Sequence, residues 1–125
     1  YAAAADAAGV PIVEVGHGNG SGASSLLVGE SRLSDREMLE IARSNLRNSK
    51  LGVHVIPGFA TIKNDLELAV SMGVDVFRVA SHCTEADITQ RHIGYLREEG
   101  KEVYGVLMMA HMATKEVLSE EAIKM

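Results

Sequence analysis

The chain lacks several features that would define its class. Cys83 is its single cysteine, so it cannot form an internal disulfide or a structural zinc site built from several cysteines. No apolar run approaches the ~20 residues that a membrane-spanning helix needs. Both absences favour a protein of the reducing cytoplasm and argue against a membrane role.

Positive charge is also scarce, and it is scattered along the chain. There are 12 Lys and Arg against 17 Asp and Glu, which gives a net charge of -5. Because a phosphate backbone is bound by clustered basic side chains, nucleic acid is not expected as a partner. The 125 residues are enough for one hydrophobic core, and 46% hydrophobic with 23% charged residues is typical of a globular protein.

Three stretches repeat one pattern, in which a helix end is followed by glycine and then by β-branched residues. They begin at Ala8, Met72 and Glu99. Glycine just past a helix readily adopts a left-handed conformation, and β-branched residues favour a strand. A further apolar strand is predicted over Gly52–Pro57. Each of these strands is followed by a segment with helical spacing of its apolar residues.

Polar start signals precede those helical segments. Ser34 with Glu37 has the spacing of a capping box, and Thr84 with Asp87 predicts a second cap. The residues predicted to begin helices are Ser34, Thr61, Thr84 and Thr114. Residues 1–125 therefore read as a single partial domain, made of a helix tail and four βα units.

Strands joined by single helices pair in parallel through right-handed crossovers, which indicates an α/β fold. Two segments, 53–56 and 103–109, are apolar at nearly every position, as strands buried on both faces require. An open doubly wound sheet and part of a closed barrel both fit this order. Glu14 and Arg78 fall within strands, where charge suits a barrel interior better than a helix-covered sheet. We therefore predict parallel βα units that form about half of a (β/α)8 TIM barrel.

Side-chain alternation places Glu14 and Arg78 on corresponding faces of the first and third strands. Alternate strands of a barrel share interior layers, so both side chains are predicted to point inward and to interact. Two interpretations remain open. One is a structural ion pair, and the other is a role in positioning a substrate or a catalytic group.

Three histidines follow strand ends, on the rim where barrel enzymes carry out their chemistry. His17 lies in a glycine-rich loop with Gly18 and Asn19, and His82 and His111 follow the third and fourth strands. The glycine spacing of the loop is not that of a dinucleotide-binding motif. The loop is therefore interpreted as a mobile active-site loop, with a phosphate cradle as the weaker alternative.

The remaining candidates have simpler explanations. Cys83 needs a neighbouring base to act as a nucleophile, and His82 and His111 are the candidates for that base. Adjacent residues of a strand point to opposite faces, so His82 and Cys83 do not favour a metal site. His54 and His92 are interpreted as ordinary residues of a strand and a helix.

Three motifs carry a resemblance to a known family. They are IVEVGHGNG at 12–20, RVASHCTEAD at 78–87 and GVLMMAHM at 105–112. In this order they closely resemble the 4-hydroxy-2-oxovalerate aldolases. That family lies within a wider barrel superfamily that includes isopropylmalate synthase and hydroxymethylglutaryl-CoA lyase.

The resemblance implies a cytoplasmic lyase of aromatic catabolism that cleaves 4-hydroxy-2-oxopentanoate into pyruvate and acetaldehyde with a divalent metal, typically Mn²⁺. It implies an acylating acetaldehyde dehydrogenase as the partner that receives the aldehyde. In related barrels the glutamate of the second strand contacts the catalytic arginine, and the resemblance gives Glu14 this role. It places Arg78, His82 and His111 in the pocket wall. It also places His17, Gly18 and Asn19 in a loop near the small 2-oxo acid.

The sequence departs from the family's pattern in what it does not contain. The family's Arg-Asp-Gly motif with its base histidine, and its His-x-His metal pair, are absent from these 125 residues. No metal ligand is therefore assigned in this chain, which is expected to be an internal fragment that is inactive alone. Asn19 and Ser21 stand where relatives commonly have aspartate and leucine, which leaves the role of that loop open.

Two other functions stay open. Another superfamily member, which condenses an acyl-CoA with a 2-oxo acid or acts as a lyase, would need a coenzyme A pocket that the sequence does not display. A non-catalytic half-barrel would expose two strand edges and an apolar face. Self-association would bury them, so a homo-oligomer is expected.

Overall fold

Helices and strands alternate along the chain in the computed structural model, which describes residues 1–125. The strands are β1 (Ile12–Glu14), β2 (Lys50–Val55), β3 (Val76–His82) and β4 (Glu102–Met108). The helices are α1 (Ala2–Ala7), α2 (Asp35–Asn45), α3 (Glu67–Ser71), α4 (Gln90–Glu98) and α5 (Lys115–Lys124). A π-helical turn, Ile62–Leu66, leads into α3, and 3-10 turns occupy Ala86–Thr89 and Ala110–Met112. No helix has both the length and the apolar character needed to cross a membrane.

The four strands form one parallel sheet in the order β1-β2-β3-β4, so each strand pairs with the next one along the chain. In a doubly wound sheet the order reverses at a switch point, whereas in a (β/α)8 barrel neighbours in sequence are neighbours in space. The α/β prediction is confirmed, and the sheet has the topology of part of a TIM barrel.

The predicted helix signals are confirmed at most positions. Ser34 and Glu37 form the capping box at the start of α2, and Thr61 Oγ1 accepts a hydrogen bond from the Asn64 N–H at 3.2 Å. Thr114 caps α5 in the same way. The glycines that follow α1, α3 and α4 have φ angles of 77°, 77° and 69°. Glycine therefore supplies the left-handed turn between each of these helices and its strand.

The predicted cap at Thr84 is wrong. Thr84 Oγ1 lies 2.9 Å from His82 Nδ1, and the helical segment begins two residues later with no local side-chain cap. The hydroxyl therefore contacts the preceding histidine ring and caps none of the amides of the helical segment. Glu121 of α5 accepts a hydrogen bond from the Ala86 N–H instead.

The core lies between the sheet and the helices. The strands contribute Val13, Leu51, Val53, Val55, Phe77 and Val79, and the helices add residues such as Leu39, Leu66 and Leu96. These strand residues all have odd numbers, because alternate side chains of a strand point to the same face. We call this the outer face of the sheet.

Two strand predictions need correction. β2 starts and stops two residues earlier than expected, because the Ile56 carbonyl accepts hydrogen bonds from the Phe59 and Ala60 N–H groups and closes a turn there. No residue of β4 is fully buried, although its sequence reads as a strand buried on both faces. β4 pairs only with β3, so its second edge and much of its surface are exposed.

Helix α1 is attached to the core by Asp6, which is 7% exposed. Its Oδ1 accepts hydrogen bonds from the backbone N–H groups of Arg47, Asn48 and Ser49, at 3.2, 2.8 and 2.7 Å. These bonds lower the pKa of Asp6 to about 2. The carboxylate therefore joins α1 to the turn that precedes β2.

Candidate functional site

The opposite face of the sheet, which we call the inner face, carries the predicted ion pair. Arg78 donates from Nε to Glu14 Oε2 at 2.6 Å and from Nη2 to Glu14 Oε1 at 2.7 Å. The two side chains are 46% and 34% exposed. The interaction raises the pKa of Arg78, with hydrogen bonding to Glu14 as the main cause. The sequence-based prediction of a close, same-facing Glu14 and Arg78 is confirmed.

Gly52 explains how this pair spans the intervening strand. Glu14 is on β1 and Arg78 on β3, and β2 runs between them with Gly52 paired to Glu14. A Cβ at Gly52 would lie 3.1 Å from Ile12 Cγ2, and as glycine this position places no side chain on the face that carries the ion pair. A glycine inside a strand is the signal in the sequence that could have indicated this close approach.

A second ion pair also joins strands that are not neighbours. Lys50 of β2 pairs with Glu102 of β4, and the Tyr104 hydroxyl donates to the same carboxylate. These contacts lower the pKa of Glu102 and raise those of Lys50 and Tyr104, in each case mainly through the side-chain hydrogen bond. On the inner face, β1 and β3 thus contribute one layer of side chains, and β2 and β4 contribute another. Barrel interiors are layered by alternate strands in the same way.

A pocket lies above the first ion pair, at the carboxyl ends of β1 and β2. Its lining residues are Glu14, Val15, Gly16, His17, Gly18, His54 and Arg78. The structure thus brings Arg78 together with two predicted site residues from a distant segment of the sequence, Glu14 and His17. Gly18 is in the same lining, and Asn19 is attached to it through a hydrogen bond from its N–H to His17 Nδ1 at 3.0 Å.

His54 is a pocket residue that sequence reasoning missed. It pairs in register with Arg78 and points to the same face, so its even position in the strand was the available signal. Its Nδ1 is buried and has no hydrogen-bond partner. Burial lowers the pKa of His54, and the positive charge of Arg78 lowers it further. His54 is therefore held neutral beside the guanidinium.

The glycine-rich loop is attached to the sheet and to α2. The Gly20 N–H donates to the His17 carbonyl at 2.8 Å, and the Ser21 N–H donates to the His54 carbonyl at 2.9 Å. The Gly22 N–H donates to Asp35 Oδ2 at 2.7 Å. The part of the loop that lines the pocket is therefore held in place. At its tip, Leu26 and Leu27 are almost fully exposed.

The other rim candidates lie outside the lining of this pocket. His82 ends β3, and its Nδ1 contacts Thr84 Oγ1 at 2.9 Å. His111 is exposed in the 3-10 turn after β4. Cys83 is completely buried, with its Sγ 3.9 Å from His82 Nδ1. The thiol has no access to solvent, so the geometry gives no support to a nucleophilic role for it.

The residues of this chain do not assemble a metal centre. Nowhere do three or more His, Cys, Asp or Glu side chains come close enough together to hold an ion. Protein sites for catalytic divalent ions use about three such ligands. The donor set present in this chain therefore does not fit a divalent metal.

Comparison with curated proteins gives matches along the entire chain. It is 66% identical to a 4-hydroxy-2-oxovalerate aldolase of Spirochaeta aurantia and 62% identical to one of Pectobacterium atrosepticum, each over 125 residues. A protein of the same name from Streptomyces tendae is 54% identical over 125 residues. The chain covers 37%, 36% and 35% of these relatives, so it spans little more than a third of their length. No family model matches the chain.

Proposed function

We propose that this chain forms the second to fifth strands of a 4-hydroxy-2-oxovalerate aldolase barrel. The complete enzyme is then a carbon–carbon lyase that cleaves 4-hydroxy-2-oxopentanoate into pyruvate and acetaldehyde. The identity of 54 to 66% to relatives of that name supports the family of aldolases. The single structural observation behind the proposal is the inner face, where ion pairs join alternate strands below a pocket at the carboxyl ends of β1 and β2.

Arg78 is proposed to bind the substrate. Glu14 holds its Nε and Nη2, whereas Nη1 makes no hydrogen bond within the chain. The free N–H groups of this guanidinium are suited to a carboxylate or to the oxyanion that develops when the carbon–carbon bond breaks. Glu14 then orients the arginine, and the N–H groups of Nη1 remain as donors to the anion.

A second role for Glu14 follows from the family resemblance. In related barrels this glutamate contacts the catalytic arginine, which is not among these residues. Each carboxylate oxygen of Glu14 receives one hydrogen bond from Arg78, and each has further accepting capacity. We therefore propose that Glu14 bridges both arginines in the complete barrel.

The complete enzyme is proposed to use a divalent metal, with Mn²⁺ as the first candidate. The family resemblance supports this, and the ligands are then residues other than these 125, which form no donor cluster. An acylating acetaldehyde dehydrogenase is proposed as the partner, because a reactive aldehyde product favours direct transfer. A cytoplasmic location and a role in aromatic catabolism complete the proposal.

The test is an assay of product release. The intact mass of the protein is first measured under denaturing conditions against 13.4 kDa. The protein is then given 4-hydroxy-2-oxopentanoate with Mn²⁺, with and without a chelator. We expect equimolar pyruvate and acetaldehyde from a complete barrel and no turnover from the 125-residue chain alone. Release of free coenzyme A from an acyl-CoA and a 2-oxo acid, without aldol cleavage, would instead support the condensing enzyme.

A non-catalytic oligomer of the 125-residue chain is the second candidate. β1 and β4 each have one unpaired edge, and on the inner face Ile12 and Tyr104 are 37% and 46% exposed. Pairing of two copies through these surfaces would cover both edges. Sedimentation of the 125-residue chain tests this. A dimer or larger assembly supports it, and a stable monomer across a wide concentration range contradicts it.

A further inference from the structure

A buried carboxylate lies on a helix that is otherwise exposed. Glu121 is 7% exposed and is the one buried residue of α5. Charged side chains are rarely buried without partners. Glu121 has two: its Oε1 accepts from Lys124 Nζ at 2.6 Å, and its Oε2 accepts from the Ala86 N–H at 2.9 Å. These contacts lower the pKa of Glu121, so the group is charged at neutral pH.

The contact with Ala86 replaces the missing helix cap. Ala86 is fully buried and begins the 3-10 turn that continues into α4. The first amides of a helix have no partner within it. Glu85, the residue before this turn, provides no side-chain cap, and Thr84 contacts His82 instead. The carboxylate of Glu121 supplies the acceptor from another helix, and its charge is favourable at that end.

The segment fixed by this contact is the one that carries the rim residues of β3. The Glu85 N–H donates to the His82 carbonyl at 3.0 Å and closes a tight turn. One end of the turn is held by β3, and the other end is held by Glu121. Helix α5 is itself located by β4, because its C-terminal Met125 packs against Gly105. A Cβ on Gly105 would lie 2.7 Å from Met125 Sδ.

We propose that Glu121 is a positioning residue that holds His82 and Thr84 in place at the carboxyl-end rim. The effect on turnover rests on the proposed aldolase function, because only then does this rim face the substrate. The effect on the geometry of the rim is independent of the proposed function. Removal of the Oε2 acceptor frees the Ala86 amide and releases the turn, so the imidazole of His82 loses its fixed orientation.

The test compares Glu121→Ala with Glu120→Ala, which removes an exposed carboxylate from the same helix. Both are made in the protein that carries this chain. Hydrogen exchange of the backbone over 82–90 and of the His82 ring is followed by mass spectrometry. We expect Glu121→Ala to speed exchange in this segment by about tenfold and to alter the His82 ring exchange. In the active enzyme it should lower kcat by about fivefold or more with little change in KM.

Two further variants separate positioning from general stability. Glu121→Gln keeps an oxygen acceptor for Ala86 and should restore most of the exchange protection and kcat. Glu121→Asp keeps the charge but is one methylene shorter, so its carboxylate should no longer reach the Ala86 N–H and the exchange protection should be lost. If Glu121→Ala does not fold, the comparison of Glu121→Asp with Glu121→Gln carries the test. Identical behaviour of Glu121→Asp, Glu120→Ala and the unmodified protein would overturn the proposal. If the unmodified protein contains the complete barrel and has no aldolase activity, the proposed function fails, and the exchange data still decide the role of Glu121.

Discussion

The two faces of the sheet use the same strands for different purposes. On the outer face, β2 and β3 present Leu51, Val53, Val55, Phe77 and Val79, all nearly inaccessible beneath the helices. On the inner face, charged and polar side chains form ion pairs that remain partly exposed. Only the smaller residues Gly52, Val76 and Ala80 are buried there. The outer layer is closed over β2 and β3 within this chain, whereas the inner face still has surface to cover. Stability and chemistry are therefore separable by mutation.

The largest expected effect compares one aromatic residue from each face. Phe77→Ala removes a fully buried ring from the outer face and should lower the free energy of unfolding by about 3 to 5 kcal/mol. Tyr104→Ala removes a half-exposed ring from the inner face and should cost less than about 1 kcal/mol. Urea unfolding followed by circular dichroism measures both. Equal losses would show that the inner face supports the fold as much as the outer one.

A smaller effect is expected in the loop that borders the pocket. Gly20 has a φ of 91°, and a Cβ there would lie 2.8 Å from the His54 carbonyl oxygen. Gly20→Ala should therefore destabilise the protein by about 1 to 3 kcal/mol. Gly18→Ala is the matched control, because a Cβ on Gly18 would meet no atom within 4 Å. A shift of the urea midpoint for both variants, or for neither, would contradict the proposed anchoring of the loop.

Removal of backbone strain at the carboxyl-end rim should increase the stability of the protein. Met109 follows β4 with a φ of 57° and is the one residue other than glycine with a positive φ. Met109→Gly removes a left-handed strain of about 1 kcal/mol, offset in part by the greater freedom of glycine when unfolded. The thermal midpoint should rise slightly, whereas Met108→Gly, within β4, should lower it. A fall in both would mean that Met109 packing outweighs its strain.

A prediction of a different kind concerns the dependence of stability on pH. The pKa of Asp6 is lowered to about 2 by hydrogen bonds from three backbone amides. A carboxylate with a depressed folded-state pKa stabilises the protein above its unfolded pKa, and this contribution is lost as pH falls. The stability advantage of the unmodified protein over Asp6→Asn should be constant above about pH 4. It should shrink as the pH falls from there towards the folded-state pKa of Asp6. A difference that does not depend on pH in that range would exclude this role of Asp6.

The topology and the main ion pair could be predicted because each depends on local periodicity. Glycine after helices, strand alternation and single-helix connections determine the parallel order, and equal parity places Glu14 and Arg78 on the same face of the sheet. The position of His54 in the pocket was missed, although its even number places it on the same face as Arg78. Its neighbours in the strand are apolar, so it was interpreted as an ordinary strand residue. Strand β4 was assigned too much burial, because a sequence does not show which strand lies at an edge.

Contacts between distant elements were beyond such reasoning. The cap on Ala86 comes from Glu121, 35 residues away, and local spacing favoured Thr84 instead. Asp6 binds a turn that lies 42 residues later at Asn48. Both are carboxylates that look like ordinary surface residues in the sequence, and only the packing of helices shows their partners.

The most direct test of the division between the two faces is Arg78→Met in the complete enzyme. The pair it breaks is partly exposed, so the free energy of unfolding should change by about 1 kcal/mol or less. The kcat/KM for 4-hydroxy-2-oxopentanoate should fall by about tenfold or more, because the guanidinium no longer meets the substrate. Unchanged kcat/KM, or a loss of activity that only follows a loss of folded protein, would show that Glu14 and Arg78 form a structural pair.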